Sequence, residues 1–188
     1  MKRLAIFGSG KGSNAENICN YFTGYLNVKI VFICTNNKNA FIVRRAEKLN
    51  IPVIYTTKNE LNNFEKMDQV LKDYSVDYIV LASFLLKIPF KMINSYHKRI
   101  INLHPSLLPK YGGKGMYGKN VHQAVLKNGE SESGITIHFV NQNYDEGEVV
   151  LQKKCPISFG ETIGSLEQKI RDLEFSFFPK TIEKILFH

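Results

Sequence analysis

Between residues 3 and 106, five short runs rich in apolar and β-branched residues alternate with stretches of helical spacing. The runs are "RLAIFG" (3–8), "VKIVFICTN" (28–36), "IPVIYTT" (51–57), "VDYIVLASF" (76–84) and "RIINLHPS" (99–106). The helical stretches fall at 14–24, 40–50, 62–74 and 89–97. In the second, Ala40, Val43, Ala46 and Leu49 share one side. Strands that alternate with helices are joined by crossovers, so they lie parallel and are covered on both faces. The runs are near-continuous in apolar residues rather than alternating, as strands buried on both faces must be.

The pattern changes after residue 106. "LLPKYGGKGMYGKN" (107–120) reads as a long loop with four glycines. A helix is predicted at about 119–128. The strands "GITIHFVN" (134–141) and "GEVVLQKKCPI" (147–157) are joined only by "QNYDE", too short for a crossover, so they are predicted to be antiparallel. A closing helix over about 162–187 carries Pro179, where a kink is predicted. Phe175, Phe177 and Phe178 of this helix are expected in the core. The expected fold is α/β: a doubly wound, mostly parallel Rossmann-like sheet with antiparallel C-terminal strands.

A chain of 188 residues fits one domain, here 1–188, with a substantial core. No apolar run approaches the roughly 20 residues that cross a bilayer. The start, "MKRLAIFGSG", passes from a basic pair into a first strand and then glycines, without a leader's cleavage pattern. A cytoplasmic location is expected. Three cysteines, Cys19, Cys34 and Cys155, form no CxxC pair and read as buried thiols. The formal charge of +8 permits an anionic partner. Its lysines are scattered without a nucleic-acid motif, so the charge reads first as a solvated surface, then as a draw for a small anionic ligand, and nucleic acid comes a distant third.

The first strand runs into "FGSGKGSN", with Gly8, Gly10 and Gly12 at alternate positions. The third glycine of a dinucleotide fingerprint is replaced by Ser13, and the second strand ends in Thr35-Asn36-Asn37 without a ribose-binding carboxylate. Lys11 precedes Gly12 rather than a serine or threonine, so a P-loop is excluded. What remains is an anion site of backbone N–H groups at a helix start. Ser13 and Asn14 would add donors and cap the helix. One phosphate fits this better than two; the alternative is a tight capped turn with no ligand.

A second constellation sits at a strand end. Asn102 and His104 are two residues apart in "NLHPSLLPKY" and project to the same side. An amide and an imidazole side by side suit a developing oxyanion. Asp145, in "HFVNQNYDEG", can hold and charge an imidazole if its loop folds back. Alone, each residue is more often structural. The remaining histidines, His97, His122, His138 and His188, form no metal constellation and are expected in core or surface roles.

"FGSGKGSN", "INLHPSLLPKY" and "HFVNQNYDEG", in this order, resemble the phosphoribosylglycinamide formyltransferases, a folate-dependent family of the formyltransferase superfamily. The resemblance runs over nearly the whole chain. It implies formyl transfer from 10-formyltetrahydrofolate, a cosubstrate, to the amine of 5-phosphoribosylglycinamide in de novo purine synthesis. It implies small-molecule partners, no nucleic acid, no membrane, no metal, and a monomer or homodimer. By this match Gly12, Ser13 and Asn14 hold the ribose phosphate, and Glu174 contacts the glycinamide portion. Asn102, His104 and Asp145 form the catalytic trio. Leu85, Leu86, Lys87 and Ile88, with Val140, Asn141, Tyr144 and Asn102, serve the folate. Three features depart from the family. Leu86 stands where many members have arginine, no arginine matches near Phe64 for the folate tail, and Asp145-Glu146-Gly147 replaces a D-G-G end. The glycine-rich stretch 111–119 is a candidate lid. The alternatives are a formyltetrahydrofolate hydrolase, a nucleotide-sugar or tRNA formyltransferase, and a non-catalytic nucleotide-binding module.

Overall fold

The computed structural model describes residues 1–187, and the reading of His188 lies outside them. The chain divides into two compact units, Met1–Ile101 and Asn102 onward.

The first unit is built on β1 (Lys2–Phe7), α1 (Ser13–Tyr21), β2 (Val28–Thr35), α2 (Phe41–Lys48), β3 (Val53–Tyr55), α3 (Lys58–Asn63), α4 (Glu65–Asp73), β4 (Tyr78–Leu81) and α5 (Phe90–Ser95). β1 pairs in parallel with β2 and with β4, and β2 with β3. Leu4, Ala5, Ile6 and Phe7 are fully buried, as a central parallel strand requires. Ile42, Val43 and Ala46 cover the sheet from α2, and Met67 and Leu71 belong to the buried face of α4.

The predicted helix over 62–74 is instead two helices. Thr57 and Glu60 form a capping box that starts α3 earlier, and Phe64 takes a φ of +64° between α3 and α4. A buried aromatic in the left-handed region breaks the helix where the periodicity alone runs on.

β5 (Ile100–His104) leads into the second unit, which carries α6 (Lys119–Lys127), β6 (Glu132–Phe139), β7 (Val149–Pro156) and α7 (Ile163–Phe187). The strand order is β3-β2-β1-β4-β5-β6-β7. β6 and β7 are antiparallel, with Ile135 opposite Lys153. The mostly parallel sheet with antiparallel last strands is therefore as the sequence pattern predicts. Gly134 is obligatory in β6, because a Cβ there would lie 2.0 Å from the Lys153 carbonyl oxygen. Leu166, Ile170, Phe178, Ile182 and Leu186 form the buried stripe of α7, which continues through Pro179 as one helix. Of the three phenylalanines, only Phe178 is fully buried; Phe177 is half-buried, with the Lys153 ammonium 4.8 Å from its ring.

Candidate functional site

The glycine loop lies wholly in the first unit. The Gly8 N–H donates to the Cys34 carbonyl and the Ser9 N–H to that of Ser83. The Ser9 hydroxyl donates to Asn36 Oδ1 and accepts the Leu85 N–H at 2.9 Å. Ile42 is the seat of the loop. Its N–H donates to the Gly10 carbonyl, and a Cβ on Gly8 or Gly12 would come within 2.6 Å of its side chain. Only glycine allows so close an approach, and Gly12 also needs its φ of +73°. Arg45 Nε donates to the Lys11 carbonyl at 3.0 Å, and its guanidinium pairs with Glu16.

Gly12 is the N-cap of α1, and no side chain caps the helix. The expected capping by Ser13 or Asn14 is thus corrected: both lie inside the helix, because the left-handed Gly12 already turns the chain. The first backbone N–H groups of a helix have no partner within it, and they carry the positive end of its dipole. Such a terminus takes a single anion. Leu85 is exposed, Leu86 half-buried, Lys87 exposed and Ile88 buried.

The second constellation assembles in the second unit. β5 presents Asn102 and His104 to the same side. The loop after β6 brings Asp145 to them. That loop is closed by the Phe139 N–H to the Glu148 carbonyl, and by Asn141, whose amide donates to the Glu146 carbonyl. Gly147 is required at the return, since a Cβ would sit 1.7 Å from the Phe139 oxygen. Asp145 itself takes a φ of +57°. Val140 is half-buried, and Tyr144 is exposed.

Asp145 reaches two imidazoles. Its Oδ2 lies 3.5 Å from His104 Nδ1, and its Oδ1 lies 3.7 Å from His138 Nε2. The Gly113 N–H donates to Oδ2 at 2.8 Å, so the start of the glycine-rich stretch is tied to the carboxylate. His104 is 4% exposed, and its Nε2 donates to the Tyr111 carbonyl at 2.8 Å. A carbonyl can only accept, so Nε2 carries a proton, and Nδ1 is the nitrogen that gains or loses one. His138 is held the other way round. Its Nδ1 donates to the Phe139 carbonyl, leaving Nε2 to accept the Asn102 amide at 3.0 Å. One N–H of that amide remains for another acceptor.

Burial drives the His104 imidazole below its ordinary pKa, and the Asp145 charge and the Tyr111 carbonyl oppose that only in part. Burial alone would raise Asp145. The two neighbouring imidazoles and the Gly113 N–H outweigh it and hold the carboxyl below its ordinary range. The free site therefore carries an ionised Asp145 beside an imidazole that resists protonation. A negative charge developing nearby tips that balance toward imidazolium.

The trio Asn102, His104 and Asp145 is thus brought together. His138, expected in a core or surface role, belongs to the same network as the partner of Asn102 and Asp145. Its signal lies in "GITIHF": Thr136 and His138 are two apart, so they share one buried face of an apolar strand. His97 is exposed and His122 buried, as expected. Glu174 is half-buried on α7. Among the described residues, no three His, Cys, Asp or Glu side chains group to hold a metal ion. Among the same residues, no helix is long and apolar enough to cross a membrane.

A mostly parallel α/β sheet with a glycine loop after its first strand, and an Asn-His-Asp cluster at a later strand end, fits a class of group-transfer proteins. The chain belongs to the formyl transferase family, whose match spans residues 2–182. It is 37% identical to the chloroplastic phosphoribosylglycinamide formyltransferase of Arabidopsis thaliana, over 98% of this chain and 65% of that protein. The phosphoribosylglycinamide formyltransferase of Haemophilus influenzae is 36% identical, over 97% of this chain and 86% of its own. Among solved structures, glycinamide ribonucleotide transformylase 1 from Geobacillus kaustophilus superposes with a TM-score of 0.89 at 30% identity, covering 99% of both chains. The chain thus spans just under two-thirds of the length of the plant relative.

Proposed function

We propose that this protein transfers the formyl group of 10-formyltetrahydrofolate to the amine of 5-phosphoribosylglycinamide, a step of de novo purine synthesis. The observation that carries the reading is the Asp145 carboxylate set against His104 Nδ1, with the Asn102 amide held by His138. The relatives named for this reaction support the choice of substrate.

The amine attacks the formyl carbon, forming a C–N bond while the carbonyl oxygen becomes an oxyanion. The second N–H of Asn102 donates to that oxyanion. Both nitrogens of His104 are already directed, one to Tyr111 and one to Asp145. Its contribution is therefore positive charge: Nδ1 takes, through water, a proton released by the attacking nitrogen as the oxyanion forms, and gives it up again as the folate nitrogen leaves. Stabilisation that appears only with the developing charge lowers the barrier rather than the ground state. Asp145 supports the imidazolium and assists movement of a proton from the attacking nitrogen to the folate nitrogen, through water. That nitrogen then leaves as the bond to the formyl carbon breaks. No step draws on a metal.

The N–H groups of Gly12, Ser13 and Asn14 take the ribose phosphate, and Glu174 takes the glycinamide end. Leu85 to Ile88, and Val140, Asn141 and Tyr144 with Asn102, serve the pterin. The two units act as one formyltransferase domain in a cytoplasmic monomer or homodimer.

The test is absorbance of the deformylated folate product, with purified protein and a 10-formyl folate. Product that requires the glycinamide ribonucleotide supports the proposal. Product in its absence points to a hydrolase, and no product in either case overturns both.

A further inference from the structure

We infer that Thr136 is a positioning residue that decides which nitrogen of His104 exchanges a proton. This rests on the assignment of His104 to the reaction and deepens it.

Thr136 is fully buried on β6. Its hydroxyl donates to the Ser106 carbonyl at 2.7 Å. It accepts the Leu108 N–H at 3.0 Å and the Gln152 amide at 3.0 Å. A hydroxyl has one hydrogen and two lone pairs, so every valence is in use. Two of the three partners are backbone groups of a single segment, the one that follows His104. The same Gln152 nitrogen also donates to the Leu108 carbonyl at 2.8 Å, so β6 and β7 grip that segment at one point.

From that point the segment is tied forward. The Ser106 hydroxyl donates to the Lys110 carbonyl at 2.7 Å, and the Lys110 N–H donates to the Leu107 carbonyl. The next residue, Tyr111, takes a φ of +58°, and its hydroxyl is anchored by Glu130 and Asn128. Held at both ends, Tyr111 offers its carbonyl to His104 Nε2. That acceptor keeps a proton on Nε2 and leaves Nδ1 facing Asp145, with His138 on the far side of the carboxylate. With the segment loosened, the ring could carry its proton on Nδ1 and donate to Asp145. It would then have no lone pair toward the carboxylate and no proton left to gain there.

The experiment compares Thr136→Val, which keeps the shape and loses all three bonds, with Thr136→Ser, which keeps the hydroxyl. Gln152→Leu, at an exposed position on β7, removes the outer grip without touching the core. Each folded variant is measured for kcat and KM and by nitrogen-15 NMR of its histidine side chains, with His104→Ala run in parallel to assign the His104 signals. In the wild type, His104 shows a protonated Nε2 and a bare Nδ1. In Thr136→Val, the His104 signals average between tautomers, kcat falls by about 10- to 100-fold and KM changes little. Gln152→Leu moves both readouts the same way by less, and Thr136→Ser restores them. A Thr136→Val protein with an unmixed Nε2–H signal and wild-type kcat overturns the inference. If Thr136→Val does not fold, a Gln152→Leu protein with wild-type signals and kcat overturns it. Full turnover by folded His104→Ala would instead remove the assignment on which the inference rests.

Discussion

The glycine loop and the Asp145 cluster solve different problems with different parts of the chain. In the loop, side chains shape a backbone, and the proposed phosphate site is made of that backbone. Ile42 and Arg45 seat the main chain of Gly8 to Gly12 just ahead of the α1 N-terminus. In the cluster the relation is reversed. Backbone groups of Tyr111, Gly113 and Phe139 orient side chains, and the chemistry belongs to an amide, imidazoles and a carboxylate. A loop of the first kind is sensitive to added bulk. A site of the second kind is sensitive to a change of charge at constant shape.

The largest effect expected from this contrast is at Asp145. Asparagine keeps the shape and tolerates a left-handed φ, and its side-chain oxygen can still accept the Gly113 N–H. Only the charge beside His104 is lost. Asp145→Asn should lower kcat by about 10²- to 10⁴-fold with little change in KM or melting temperature. Steady-state kinetics and a thermal melt check this. A loss confined to a higher KM would place Asp145 with the binding groups and erase the contrast.

At Gly12 the expectation is opposite in kind and smaller. A Cβ would meet Ile42 within 2.6 Å on a backbone held at φ +73°. The left-handed conformation alone costs a non-glycine residue about 1–2 kcal/mol. Gly12→Ala should therefore raise KM for the phosphorylated substrate by ~10-fold and leave kcat within a few-fold. Isothermal titration with the ribonucleotide gives the same quantity without turnover. A fall in kcat as large as the rise in KM would mean that the loop also serves the chemical step.

The two regions also differ in how far the sequence reveals them. Gly8, Gly10 and Gly12 are visible because a backbone site advertises itself through missing side chains, and the strand before them is an unbroken apolar run. Asn102 and His104 are visible because polar residues at a strand end stand out. His138 is hidden inside the apolar run of β6, where only its two-residue spacing from Thr136 marks a polar stripe. Tyr111 contributes a carbonyl, which every residue has, so nothing in its side chain points to the role. The break at Phe64 is hidden for a related reason. Its positive φ is sustained by the burial of the ring, and helical periodicity carries no trace of that. Helix capping by Gly12 in place of Ser13 or Asn14 is again a backbone decision.

The smallest effect separates the regions by stability rather than rate. Burial holds His104 and His122 below the ordinary imidazole pKa, and the net effect at Asp145 is also downward. Each group then binds protons more readily in the unfolded chain than in the folded one, so stability rises with pH. The sign is the same for all three, but the windows differ. The histidine contribution is fully present above about pH 6.5 and is lost as pH falls below it toward the folded-state values. The Asp145 contribution is lost only below about pH 4. Melting temperature should therefore decline between pH 7 and pH 5 from the histidines alone. His104→Gln, which keeps a neutral hydrogen-bonding side chain, should flatten part of that decline and leave the part due to His122. Ser13→Ala in the loop adds and removes no titrating group, so it should preserve the wild-type slope. If His104→Gln instead steepens the decline across this range, the imidazole is held charged in the free protein. The positive charge would then precede the oxyanion instead of arising with it.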